Sequence, residues 1–81
     1  MKPTVVYSNN TCPNCDNLKK ALTFKGIAFQ EINISDNPSE GEKIRSMGYR
    51  TLPVMEHNGE WLNGFTMSNL SKIVQSHQAV A

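Results

Sequence analysis

The stretch TVVYSNNTCPNCDNLKKAL fixes much of what this 81-residue chain can become. Thr4 to Tyr7 is short, β-branched and aromatic, which predicts a buried strand. Ser8 to Thr11 is a polar loop. Pro13 suits the first helical position, since its fixed φ matches a helix start and its missing N–H had no partner to lose. Leu18, Ala21 and Leu22 then recur at helical spacing, and Gly26 ends the run. Cys12 and Cys15, the two cysteines of the chain, therefore sit at a strand-to-helix turn.

The remaining elements follow from their own signals. Ile27 to Ile34 alternates in part, with Phe29, Ile32 and Ile34 as apolar points, and predicts a second strand. Asn37-Pro38-Ser39-Glu40 carries a cap, a proline at the first helical position and a glutamate placed for a capping box. Ile44 and Met47 are expected to face the core from that helix. Gly41 weakens it by up to about 1 kcal/mol, and Gly48 ends it. Leu52 to His57 and Glu60 to Leu62 flank Asn58-Gly59, a strong hairpin signal. Thr66 can cap a last helix with Leu70, Ile73 and Val74 inward, and Gln78 to Ala81 is expected to fray. The order is β-α-β-α-β-β-α over one domain, residues 1–81. The helix between the first two strands requires them to be parallel with a right-handed crossover. The predicted fold is an α/β mixed four-stranded sheet with three helices.

Composition excludes several classes. Eight basic residues against seven acidic give a net charge of +1, so neither a nucleic-acid surface nor an acidic tail is built in. No apolar run approaches the roughly 20 residues of a membrane helix, and no secretory leader is visible. The expected setting is a reducing cytoplasm, and the expected state a monomer. Thiols kept in such a compartment are catalytic or metal-binding more often than structural.

The address of CPNC selects among these. Cys12 lies at or beside the helix N-cap, where unpaired N–H groups and the helix dipole favour an anion. It is the candidate nucleophile. Cys15, three residues on, shares its helical face and can close a disulfide with it, so it is the candidate resolving thiol. A structural staple there would close a tiny loop and constrain little of the unfolded chain. A zinc site needs four ligands, and His57 and His77 lack the spacing to complete one. No metal or bound cofactor is expected.

C-P-N-C after a strand, T-L-P after the second helix and N-G-F before the last helix resemble, in order and spacing, the glutaredoxin branch of the thioredoxin superfamily. That resemblance implies a thioredoxin-like fold with dithiol–disulfide oxidoreductase activity. It implies that Pro53 is a cis-proline facing Cys12, Cys15 and Pro13, and that the Leu52 backbone pairs with a bound substrate chain. It extends the substrate site to Arg50, Thr51, Asn63, Gly64 and Phe65.

Two subfamilies compete. Glutathione-dependent glutaredoxins commonly carry a cation before the first cysteine and an acid after a Gly-Gly pair. Asn9 and Asn10, and Thr66-Met67-Ser68 after Asn63-Gly64, stand there instead. Gly48-Tyr49-Arg50, Leu52-Pro53-Val54 and Trp61 before Gly64-Phe65 resemble the NrdH-type redoxins. Those take electrons from NADPH through thioredoxin reductase and serve ribonucleotide reductase. Thr51, the spacing of Trp61 and Met67 depart from that pattern. The resemblance thus implies thioredoxin reductase or glutathione as electron source, and ribonucleotide reductase or other disulfide proteins as client. A non-catalytic binding module is a third reading, against which the intact cysteine pair speaks.

The other residues read more plainly. Trp61 and Phe65 are expected to pack at an edge strand, with partner docking as the rarer use. Lys19 and Lys20 read as solvated helix faces that can assist the Cys12 anion, His57 and His77 as surface residues, and Met47, Met55 and Met67 as gap-fillers.

Overall fold

The computed structural model describes residues 4–80, with side chains through Ser76. Strand β1 (Thr4–Ser8) is followed by α1 (Pro13–Phe24), β2 (Phe29–Asn33), α2 (Pro38–Ser46), β3 (Val54–His57), β4 (Glu60–Asn63) and α3 (Met67–Val80). The sheet runs β2-β1-β3-β4. β1 is parallel to β2, with Tyr7 opposite Ile32. It is antiparallel to β3, with Tyr7 opposite Val54. Asn58 and Gly59, both at positive φ (51° and 80°), make the tight turn of the β3–β4 hairpin, in which Met55 faces Leu62. Two consecutive positive φ values are what a twisted two-residue hairpin demands, and Asn-Gly supplies them with little strain.

Strand alternation sends β1 side chains to two cores. Val6 joins Leu18 and Leu22 of α1, Met55, Leu62, and Leu70 and Ile73 of α3 on one face. Tyr7 joins Ile44 of α2 and Val54 on the other, with Tyr49, Leu52 and Trp61 packed against them. Each such side chain contributes about 1.5–3 kcal/mol when fully removed from water. The layering places the start of α1, the end of β1 and the start of β3 at one end of the sheet. That end carries both cysteines.

Several local expectations are corrected. The capping box on α2 does not form. Asn37 makes no side-chain cap bond and instead donates from Nδ2 to the Asn33 carbonyl at 2.9 Å, while Glu40 pairs with Lys43 at 2.9 Å. Met47 is exposed, because α2 ends at Ser46 and the chain turns there. Tyr49 takes the apolar place expected of Met47, its N–H bonding back to the Ile44 carbonyl at 3.2 Å. Gly41 is buried and allows close approach: a Cβ there would lie 3.4 Å from Ile34 Cβ.

β2 is shorter than expected. Ile27 is buried before the strand begins, its N–H held by the Leu22 carbonyl at 2.9 Å. β3 starts at Val54, leaving Leu52 in the preceding loop. The tail expected to fray from Gln78 is helical as far as Val80, since neither glycine nor proline follows Gly64 to stop it. Ala81 lies outside the described residues, and the His77 side chain outside the described side chains. Met67 is exposed, whereas Met55 is fully buried. Only the latter fills the core. His57 is half-buried, its Nδ1 lying 2.7 Å from Thr4 Oγ1, so it is not a free surface residue.

Candidate active site

Cys12 is the N-cap of α1, with extended backbone (φ −120°, ψ 94°). Its carbonyl accepts the first helical bond, from the Asp16 N–H at 3.2 Å. Its Sγ accepts from the Cys15 N–H at 3.1 Å. A sulfur thus occupies the position where a serine or aspartate oxygen caps other helices. Pro13 follows at the first helical position and is exposed. Cys12 and Cys15 are joined by a disulfide, with Cα atoms 5.2 Å apart. The two sulfurs differ in access: Cys12 is partly exposed and Cys15 is fully buried.

The loop before Cys12 is ordered by short side-chain bonds. Asn9 Oδ1 accepts from the Thr11 N–H at 3.0 Å. Asn10 Oδ1 accepts from Asn33 Nδ2 at 2.8 Å, tying the loop to the end of β2. On the far side, the Leu52–Pro53 peptide is cis and Pro53 is buried. Thr51 is exposed and Leu52 half-buried.

A cleft of about 450 Å³ opens beside the disulfide, lined by Cys12, Pro13, Asn9, Thr11, Asn14, Leu52, Thr51, Arg50, Tyr49, Arg45, Ile44, Gly41 and Ile34. Two arginines and no acid line it, so it favours anionic groups. The structure thus brings Cys12, Pro13, Arg50, Thr51 and Leu52 to one cleft. Asn63, Gly64 and Phe65 are not among its lining residues. Asn63 instead bonds to Thr51, and Phe65 packs half-buried against the α1–α3 core.

Arg45 is not part of any sequence motif, and Tyr49 and Asn14 enter from sequence only within Gly48-Tyr49-Arg50 and C-P-N-C, with no role in the site. Arg45 follows the core residue Ile44, so the helical spacing of α2 could have placed it at the rim. Tyr49 stacks on Trp61 (centroids 6.4 Å apart), and Trp61 stacks on Tyr7 (5.6 Å). Trp61 therefore packs at the edge strand, behind the cleft wall. The Lys43 ammonium lies 3.1 Å from the Tyr7 hydroxyl and 5.8 Å from the Trp61 ring. Glu40 first, then Tyr7, pushes the Lys43 pKa up to about 12.

Lys19 is paired with two carboxylates. Its ammonium donates to Glu31 Oε2 at 2.7 Å and lies 3.5 Å from Asp16. The same Glu31 oxygen accepts from the buried Ser8 hydroxyl at 2.7 Å. Lys19 and then Ser8 hold the Glu31 carboxyl below its ordinary range, and Glu31 raises Lys19 in return. Lys20 is exposed. Among the described residues no cluster of three His, Cys, Asp or Glu side chains stands ready to hold a metal ion.

A disulfide at a helix start, one sulfur open and one buried, on a β-α-β-α-β-β-α sheet, defines a thiol–disulfide oxidoreductase of thioredoxin-like fold. The glutaredoxin family model matches residues 4–62, and the chain belongs to that family. It is 43% identical over 68 residues to glutaredoxin-like protein NrdH of Lactococcus lactis subsp. cremoris, covering 84% of this chain and 94% of that one. The solved NrdH-redoxin of Escherichia coli, a glutaredoxin-like protein with a thioredoxin-like activity profile, superposes with a TM-score of 0.83 at 28% identity. The match covers 89% of this chain and 95% of that one. Wheat glutaredoxin superposes at 0.70 with 33% identity, over 90% of this chain and 75% of that one.

Proposed function

We propose that Cys12 is the attacking thiolate and Cys15 the resolving thiol of a protein disulfide reductase. The observation that carries this is the unequal access of the two sulfurs at the α1 N-terminus. The Cys12 thiolate attacks one sulfur of a client disulfide, forming a mixed disulfide and releasing the other client sulfur as a thiolate. Cys15 loses its proton and attacks Cys12 Sγ. The second client thiol leaves, and the Cys12–Cys15 disulfide is formed. Two electrons and two protons from a reductant restore the dithiol. The client chain lies extended along Leu52, beside Pro53, with Arg50 and Thr51 at the rim. The chain acts as one domain over residues 1–81, as a monomer in a reducing cytoplasm.

The reductant is thioredoxin reductase drawing on NADPH, and the client is ribonucleotide reductase. The likeness to the NrdH proteins supports this. So does the chemistry before and after the cleft. Charge-assisted hydrogen bonds are worth about 1.5–3 kcal/mol each. Asn9 and Asn10 replace a cation before Cys12, and Met67 and Ser68 offer no acid to a glutathione amine. Two such losses cost about 3–6 kcal/mol, roughly 10²–10⁴ in affinity. Arg45 and Arg50 in the cleft favour the second reading, a glutathione-dependent glutaredoxin, because they suit its carboxylates.

The test oxidises the protein and follows NADPH consumption in two coupled systems at equal protein concentration. One holds thioredoxin reductase; the other holds glutathione and glutathione reductase. Faster turnover with the first is expected. Faster turnover with the second would establish the glutaredoxin reading.

A further inference from the structure

The loop before Pro53 has a brace made of two asparagines. Asn63 Nδ2 donates to the Thr51 carbonyl at 2.9 Å and lies 3.3 Å from the Pro53 carbonyl. Its Oδ1 accepts from the Thr51 hydroxyl at 3.3 Å. Among the described residues these are the hydrogen bonds Thr51 makes, so Asn63 alone ties that residue down. Asn69 holds the brace from behind. Its Nδ2 donates to the carbonyls of Asn63 at 2.9 Å and Gly64 at 2.8 Å. Its own N–H is fixed by Thr66 Oγ1 at 3.1 Å, the N-cap bond of α3.

The carbonyls on both sides of Leu52 are therefore occupied, that of Thr51 by Asn63 and that of Pro53 by the Gly64 N–H at 2.8 Å with the Asn63 amide beside it. The N–H and carbonyl of Leu52 itself are bonded to no other described residue. An open backbone pair on a half-buried residue is what an extended chain can pair with. A single amide that bonds Thr51 and Pro53 together sets the direction of the peptide groups between them.

We infer that Asn63, anchored by Asn69, is a positioning residue that presents the Leu52 backbone to the client chain. This rests on the docking of the client at Leu52 given above. Asn63 thus serves the substrate through Thr51 and Pro53 and not by touching it. Its side chain spends both its donor and its acceptor inside the protein.

The test uses the full chain with Asn63→Asp, which keeps size but cannot donate, and Asn69→Ser, which removes the rear anchor. Each is compared with wild type on a disulfide-bonded peptide and on a small aromatic disulfide that has no backbone to pair. Thermal melts confirm that the variants are folded. One neutral hydrogen bond, about 0.5–1.5 kcal/mol, converts to a KM rise of roughly 2- to 12-fold for the peptide. That rise is expected with kcat held, and to exceed the rise for the small disulfide. Asn63→Asp with an unchanged peptide KM, or with equal losses on both substrates, would overturn the positioning role. Failure of the wild-type protein on both substrates would overturn the proposed function with it.

Discussion

The amide N–H of Cys15 points at Cys12 Sγ from 3.1 Å. The helix start therefore carries its own donor to the sulfur that is the attacking thiolate once the protein is reduced. A donor already aimed at a sulfur strengthens when that sulfur becomes an anion, since hydrogen bonds to charged acceptors are about twice as strong as neutral ones. Cys15 has no matching exposure, being fully buried.

The expected consequence is asymmetric. Cys12→Ser abolishes disulfide reduction. Cys15→Ser still attacks but cannot resolve, and accumulates a mixed disulfide with the client. Mass spectrometry of each variant after incubation with an oxidised peptide reads the difference. Equal trapping by both would reverse or dissolve the assignment of the nucleophile.

Most of the site's skeleton was legible because its signals are local. Thr4 to Tyr7, Pro13 and the cysteine spacing each act within a turn or a strand, and Asn58-Gly59 fixes a hairpin by φ alone. What escaped the sequence depends on distant partners. Lys19 looked solvated because Glu31, twelve residues away, meets it only through the parallel crossover of β1 and β2. That the Asn63 amide bonds Thr51 could not be read either, because Thr51 lies twelve residues away, on the other side of the β3–β4 hairpin. Met47 looked inward because periodicity does not say where α2 stops. Thr66 as a cap was readable, but that Asn69 reaches back to two carbonyls was not.

Gly41 offers a test of the helix cost expected of it and of how much room its site leaves. A Cβ at this position meets Ile34 Cβ at 3.4 Å, an ordinary contact. Gly41→Ala should therefore fit and stabilise by about 0.5–1 kcal/mol through helix propensity. Gly41→Leu should overpack against Ile34 and destabilise by about 1–3 kcal/mol. It would also crowd the cleft that Gly41 lines. Urea melts give both values, and a destabilising alanine would show that Ile34 cannot yield.

His57 sets a pH dependence far in the sequence from the cysteines. Its Nδ1 lies 2.7 Å from Thr4 Oγ1, and burial lowers its pKa from the ordinary 6.5, partly offset by Glu60. Above 6.5 the ring is neutral in both folded and unfolded chains, and its contribution is fully present. As pH falls, the unfolded chain takes up the proton first, so stability drops through the lowered folded value. Urea midpoints are expected to decline from pH 7 toward about 5. His57→Gln should flatten that decline. An unchanged slope in the variant would remove His57 as its source.

Lys19 and Glu31 make a pair whose two pKa shifts agree in direction, and this yields a two-sided expectation. Glu31 lies below its ordinary 4.5, through Lys19 first and Ser8 second, so its contribution is full above 4.5 and lost as pH falls through the lowered value. Lys19 lies above its ordinary 10.5, through Glu31 first, so its contribution is full below 10.5 and lost as pH rises through the raised value. The pair is therefore intact across the whole neutral range. Both side chains are partly open to water, 26% and 37% exposed, so solvent and salt screen it. Its coupling belongs with surface pairs, at about 0.2–1 kcal/mol. A double-mutant cycle of Lys19→Met and Glu31→Gln in urea should return that coupling at pH 7. In acid, as pH falls through the lowered Glu31 value, it should shrink, because the carboxylate takes up a proton and Ser8 keeps only a neutral acceptor. Raising salt at pH 7 should reduce it in the same direction. A coupling that persists undiminished in acid would mean that the contact between α1 and β2 is held by packing of the lysine stem, not by charge.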